Sequence, residues 1–195
     1  MEPQSPTSKA NSRYRFFIAL LPPSEMQDKA NEIKQYFSDR YHSRAAQKSP
    51  PHITLQPPFE WPAATVADLQ TSLMSFAMGH SAIPIALSGF GSFPPRVIYI
   101  NVLKTPELMA LQQALAVHME AELDIVDRRS QHRSFAPHMT VAFRDLKPRA
   151  FKQAWLEFET RSLQFQFMAD QLTLLIHTGQ RWTVSQVFPF GRLDR

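Results

Sequence analysis

The chain has 195 residues, 44% hydrophobic and 11% aromatic, enough for a buried core in one larger domain or two small ones. It has no cysteine, which excludes disulfides, thiolate metal sites and cysteine nucleophiles together and sits best with a reducing cytoplasm. No stretch approaches the ~18 apolar residues of a membrane span, so a soluble, cytoplasmic monomer is expected, and the formal charge of +4 permits a polyanionic partner without establishing one.

Met1 to Ser12 is polar and rich in Pro and Ser, the composition of a disordered tail. Residues 13–195 then read as one domain. Tyr14 to Leu21 is an aromatic and aliphatic strand stopped by Pro22-Pro23. Ser24 is placed to cap a helix in which Met26, Ala30, Ile33 and Phe37 recur at helical spacing. Ser38 to Ser49 reads as a loop, and Pro50-Pro51 forces extended backbone into a strand from His52 that Pro57-Pro58 should end. A helix from about Thr65 to Met78 and an extended Ile83 to Leu87 follow, with Gly89 to Pro95 as a connector.

The order then repeats. Val97 to Leu103 is a β-branched strand, and Thr105-Pro106-Glu107 starts a helix whose inner stripe is Leu108, Leu111, Leu115 and Met119. The basic loop Arg128 to Arg133 leads to another extended segment at Pro137. Phe151, Ala154, Trp155 and Phe158 mark a further helix; strands are expected at Leu163 to Ala169 and Gln171 to Ile176. A hairpin at His177 to Gln180 leads into a closing strand, Trp182 to Phe190.

One pattern occurs twice: Pro51-His52-Ile53-Thr54-Leu55 and Pro137-His138-Met139-Thr140-Val141. In a strand, side chains alternate faces, so each His and the Thr two positions on share a surface while Ile53, Leu55, Met139 and Val141 turn to the core. The offsets are 83 for the first strands (14 to 97), 83 for the helix starts (23 to 106) and 86 for the motifs (52 to 138). Their agreement points to a duplicated unit, half one about 13–95 and half two about 96–190. The expected fold is bilobal α/β (α+β) with pseudo-twofold symmetry: two mostly antiparallel sheets, helices outside and a central cleft lined by both motifs.

Two imidazoles across a cleft suit a reaction that removes one proton while delivering another, since a reference pKa of ~6.5 lets one ring be neutral and the other charged. Phosphodiester chemistry needs that pairing, and the threonine hydroxyls would donate to phosphoryl oxygens as charge grows there. Two bland readings compete: each His as a structural residue satisfied by backbone, and each Thr as a strand former. A metal-ligand reading is weaker, because threonine is a poor ligand and no His-x-His or His-Glu-x-x-His pattern occurs. No cofactor is expected.

With PHITL and PHMTV in two similar halves, the chain resembles the 2H phosphoesterase superfamily and in particular its 2′-5′ RNA ligase-like (LigT-like) branch, over roughly Arg13 to Phe190. The resemblance implies catalysis by His52, Thr54, His138 and Thr140, without metal or ATP. The implied substrates are 2′,3′-cyclic phosphates or related cyclic phosphodiesters of RNA or nucleotides, or RNA ends joined through a 2′-5′ bond. It also makes Arg144 a candidate phosphate contact. Lys48, Arg128, Arg129 and Arg133 are candidates for the cleft mouth, and Phe59, Tyr99 and Phe135 for stacking a base. A noncatalytic RNA- or nucleotide-binding protein that keeps the cleft is the rival class.

Overall fold

The computed structural model describes residues 12–126 and 134–191; the expected tail, apart from Ser12, and the basic residues Arg128, Arg129 and Arg133 lie outside them. The described chain forms β1 (Arg13–Leu20), α1 (Ser24–Tyr41), β2 (Ile53–Pro62), α2 (Val66–Met78), β3 (Ile83–Phe93), β4 (Val97–Val102), α3 (Pro106–Leu123), β5 (His138–Ala142), α4 (Pro148–Phe158), β6 (Gln164–Ala169), β7 (Gln171–His177) and β8 (Trp182–Pro189). The strands make two four-stranded sheets, ordered β2-β1-β7-β8 and β5-β4-β3-β6. All their pairings are antiparallel.

The two sheets correspond strand for strand. Leu20 faces Ile53 in the first as Ile100 faces Met139 in the second, so register sets offsets of 80 and 86 for these strands. α1 and α3 are both 18 residues long, and each is followed by a left-handed residue, His42 (φ 56°) or Asp124 (φ 52°). The sheets do not coincide with the sequence halves. β3, from the first half, belongs to the second sheet, and β7 and β8, from the second half, complete the first. Strand composition alone leaves open which sheet a strand joins, because any apolar strand with the right alternation fits either.

Phe16, Ile18, Leu20, Ile53 and Leu55 from the first sheet and Ile98, Ile100, Met139 and Val141 from the second are buried in one continuous core. At ~1.5–3 kcal/mol for each fully buried large apolar side chain, these residues fix which face of each strand turns inward.

Four local expectations are revised. Pro57-Pro58 does not end β2, which is an edge strand; the ladder to β1 slips by one residue between Phe16 and Ile18, and this bulge accommodates residues that lack an N–H. Gly89 (φ 64°) does not open a connector but sits at a bulge that lets β3 continue to Phe93. The N-cap position of α1 is Pro23 rather than Ser24 and carries no side-chain cap; Gln27 Nε2 donates to the Pro22 carbonyl at 2.9 Å. α1 also runs to Tyr41, because Tyr36 and Tyr41 donate to Glu157 on α4 at 2.7 and 2.6 Å, a tertiary contact that outweighs the polar sequence there. The start of α3 is as expected, with Thr105 Oγ1 accepting from the Leu108 N–H at 3.3 Å.

Candidate active site

β2 and β5 are the edge strands of their sheets, and they touch each other. Burial alternates along both motifs: Ile53, Leu55, Met139 and Val141 are buried, and His52, Thr54, His138 and Thr140 are partly exposed. The two His-x-Thr faces thus rise from neighbouring edges. α1 packs on β5 and α3 on β2, so each helix following a first strand buttresses the motif strand of the opposite sheet.

Both histidines are held the same way. His52 Nδ1 lies 2.7 Å from the Pro50 carbonyl and His138 Nδ1 lies 2.7 Å from the Ala136 carbonyl, each two residues upstream. A carbonyl only accepts, so Nδ1 of each ring must carry the proton. In the neutral ring the lone pair is then on Nε2, which is left free for chemistry. Burial is the main cause holding both imidazoles below their ordinary pKa, against the opposing pull of the carbonyl bonds. For His52 the value falls to about 4, with Lys34 and His138 adding smaller repulsions.

Their supports differ. The His52 ring packs on buried Phe17 (centroids 4.7 Å), which in turn meets Trp182 edge-on at 4.7 Å. His138 packs against a pair of rings, Phe93 at 5.1 Å and Tyr99 at 5.2 Å, which themselves lie 4.6 Å apart. Tyr99 lies over Gly91, where a Cβ would come within 2.4 Å of the ring, so only glycine allows this approach. A cavity of about 890 Å³, lined among others by Thr54, His138, Phe93, Phe135, Gln112 and Glu120, runs along α3; of the two motifs it takes Thr54 and His138, while His52 and Thr140 are not among its lining residues. That volume is in the range of small-molecule sites.

The remaining candidates are distributed unevenly. Phe135 lines the cavity and Tyr99 flanks His138. Phe59 pairs with Phe16 and packs its ring toward the core, 6.2 Å from that ring, which takes it away from base stacking. Its strand parity could have revealed this once β2 was known to continue past the prolines. Lys48 is exposed on a short 3-10 turn, Ala45–Lys48. Arg144 is exposed in a left-handed conformation (φ 57°), its guanidinium 5.2 Å from the Phe143 ring centroid. The next residue, Asp145, accepts from Ser43 Oγ, Arg44 N and Ala45 N at 2.8, 2.7 and 2.9 Å, locking the turn after motif two to the loop before motif one. Arg133 lies outside the described residues. Among those residues no three His, Asp or Glu side chains gather as a metal site, and no helix is long and apolar enough to cross a membrane. Sequence reasoning missed Phe17, Phe93 and the Pro50 and Ala136 carbonyls. The carbonyls carry no side-chain signal, and the two aromatic residues read as ordinary strand and connector.

Two antiparallel four-stranded sheets thus bring their His-x-Thr edges into contact, with Thr54 of one and His138 of the other lining the same cavity. Residues 22–181 match the model of the 2′-5′ RNA ligase superfamily, and the chain belongs to that family. Relatives provisionally named phosphoesterases are similar along nearly their whole lengths. One from Bacillus pumilus is 28% identical over 181 residues, covering 91% of this chain and 98% of its own. Another from Geobacillus kaustophilus is 28% identical over 182 residues, covering 91% and 96%. Among solved structures, TT0787 of Thermus thermophilus has a TM-score of 0.64 at 18% identity, covering 91% of this chain and 98% of that one. Escherichia coli LigT in apo form has a TM-score of 0.58 at 18% identity, covering 93% and 100%.

Proposed function

We propose that this protein is a metal-independent phosphoesterase that opens 2′,3′-cyclic phosphates or related cyclic phosphodiesters of RNA or nucleotides, with His52 and His138 as its acid–base pair. One observation carries the reading: two histidines, one just ahead of β2 and one opening β5, share the same carbonyl bond at 2.7 Å and so the same free Nε2. In cleavage, one Nε2 takes a proton from water as its oxygen attacks phosphorus. The protonated partner gives a proton to the sugar oxygen as its bond to phosphorus breaks. Thr54 and Thr140, on the same faces, donate to the non-bridging oxygens. With an RNA 5′-hydroxyl in place of water, the same steps join ends through a 2′-5′ bond. E. coli LigT has been solved with 3′-AMP, at a TM-score of 0.60 to this chain, which supports a nucleotide-sized ligand.

The test is incubation with the four nucleoside 2′,3′-cyclic phosphates, with and without EDTA. Turnover is expected, unchanged by the chelator and lowered ~10²–10⁴-fold in His52→Ala and in His138→Ala. Binding without turnover would favour the noncatalytic nucleotide-binding class, and loss with EDTA restored by zinc would favour metal chemistry.

A further inference from the structure

Lys34 lies on α1 next to the buried stripe residue Ile33 and is itself only 2% exposed. Its Nζ donates to the Ser49 carbonyl at 2.9 Å, and no carboxylate among the described residues pairs with it. Burying an ammonium with one neutral acceptor is costly, and burial lowers its pKa to about 8. A neutral amide could hold that carbonyl with less desolvation. The charge therefore needs a reason beyond anchoring the loop, the more so because Asp145 already ties down its other end at Ser43 to Ala45.

Ser49 precedes Pro50, whose carbonyl sets the His52 tautomer. The charged and titratable groups acting on His52 are Lys34 from α1 and His138 from β5; on its own sheet the ring rests on Phe17. Arg15 and His177 lie beyond, around Trp182. On the neighbouring turn Lys48 is exposed, and Asp145 is occupied by the loop. Shifting by the 82 residues that separate the ends of α1 and α3 puts Ala116 in the place of Lys34, and it lines the cavity.

We propose that Lys34 is the positioning residue for His52: it fixes the Ser49 carbonyl, one residue ahead of the Pro50 carbonyl that orients the ring, and its charge opposes a second positive charge there, which makes His52 the base and His138 the acid in cleavage. The role in cleavage rests on the proposed phosphoesterase activity; the effect on the imidazole does not. The ammonium stays largely protonated below pH ~8, so it acts throughout the range in which the pair would work.

Three variants test this, each read by ¹⁵N NMR titration of the histidine rings and by kcat and KM across pH on a 2′,3′-cyclic nucleotide. Lys34→Gln keeps a donor and removes the charge. It should raise the His52 midpoint by roughly 0.5 unit or more while leaving Nδ1 protonated. Lys34→Met removes both; kcat should fall about tenfold with KM within about threefold, and the single tautomer should be lost. Lys34→Arg should restore the midpoint. An unchanged His52 midpoint and tautomer in Lys34→Gln and Lys34→Met overturn the proposal, whatever the activity. If Lys34→Met does not fold, Lys34→Gln decides; if the wild-type protein turns over no cyclic phosphate, NMR decides alone and the phosphoesterase reading fails separately.

Discussion

The two lobes hold their histidines by the same backbone device and surround them differently. In the first, the row across the sheet is Thr54, Ala19 and Thr173, the last with a buried hydroxyl that finds no partner among the described residues. In the second, the matching row is Thr140, Tyr99 and Gly91, with the tyrosine ring laid across the glycine. A small residue beside one threonine and an aromatic wall beside the other make the cleft lopsided. Duplication thus preserved the part of the backbone that sets a proton's position, while side chains on each wall were free to specialise.

The largest expected effect tests what the lobes share. His52→Ala and His138→Ala should each lower kcat/KM by ~10²–10⁴, and the double variant should be far less than multiplicatively worse, because the two groups act as a unit. A folded single variant with near-full turnover on a verified substrate would break the equivalence. Next, Thr54→Val and Thr140→Val keep strand propensity and approximate volume and should cost ~10–10³-fold, as expected for a lost donor to phosphate. Equal losses would mean both hydroxyls meet the phosphate, and a loss confined to one would make the lobes unequal in binding as well.

The pH profile separates the lobes. His52 is depressed to about 4 and His138 also lies below its ordinary value, so kcat/KM should fall on the acid side as the base takes up a proton and on the alkaline side as the acid loses one. The optimum is expected below pH 6.5, with apparent values that belong to the coupled pair. Stability carries the same sign. Between about 4 and 6.5 the unfolded chain binds more protons at this position than the folded one, so stability should drop as pH falls through that window. Urea unfolding at pH 7 and pH 4.5 should show the difference, and His52→Ala should shrink it.

The smallest effect falls on the second lobe alone. Gly91→Ala puts a methyl where the Tyr99 ring now lies, and either the ring or the strand must shift, at a cost of ~1–3 kcal/mol. Thermal unfolding would read the loss, and substrate affinity should fall a fewfold if the ring helps seat a ligand.

Much of this molecule was legible in its sequence, for identifiable reasons. Alternation around His52 and His138 gives the faces of β2 and β5 directly, and Thr105-Pro106 marks the start of α3 because its cap is local. The swap of β3 and β7 between sheets was hidden because pairing partners are chosen by tertiary geometry. Phe59 was misplaced for a related reason: a proline pair ends a strand only where its missing N–H would have been needed, and edge position is a property of the sheet. Lys34 falls between the stripe residues Ile33 and Phe37, and nothing in that spacing signals burial. Only the folded loop reveals that it is enclosed.

The crossing of strands between halves also fixes when the site is ready. Phe16 pairs with Ile176, so the sheet beside His52 joins chain segments 160 residues apart. Such long-range pairing slows folding, because loop closure precedes its reward. Until β7 emerges, one edge of β1 stays open, the kind of surface on which nascent chains stick to one another. The second sheet needs nothing beyond β6. It is free to assemble first, as a finished wall waiting for its counterpart, which is complete only once β7 and β8 are in place.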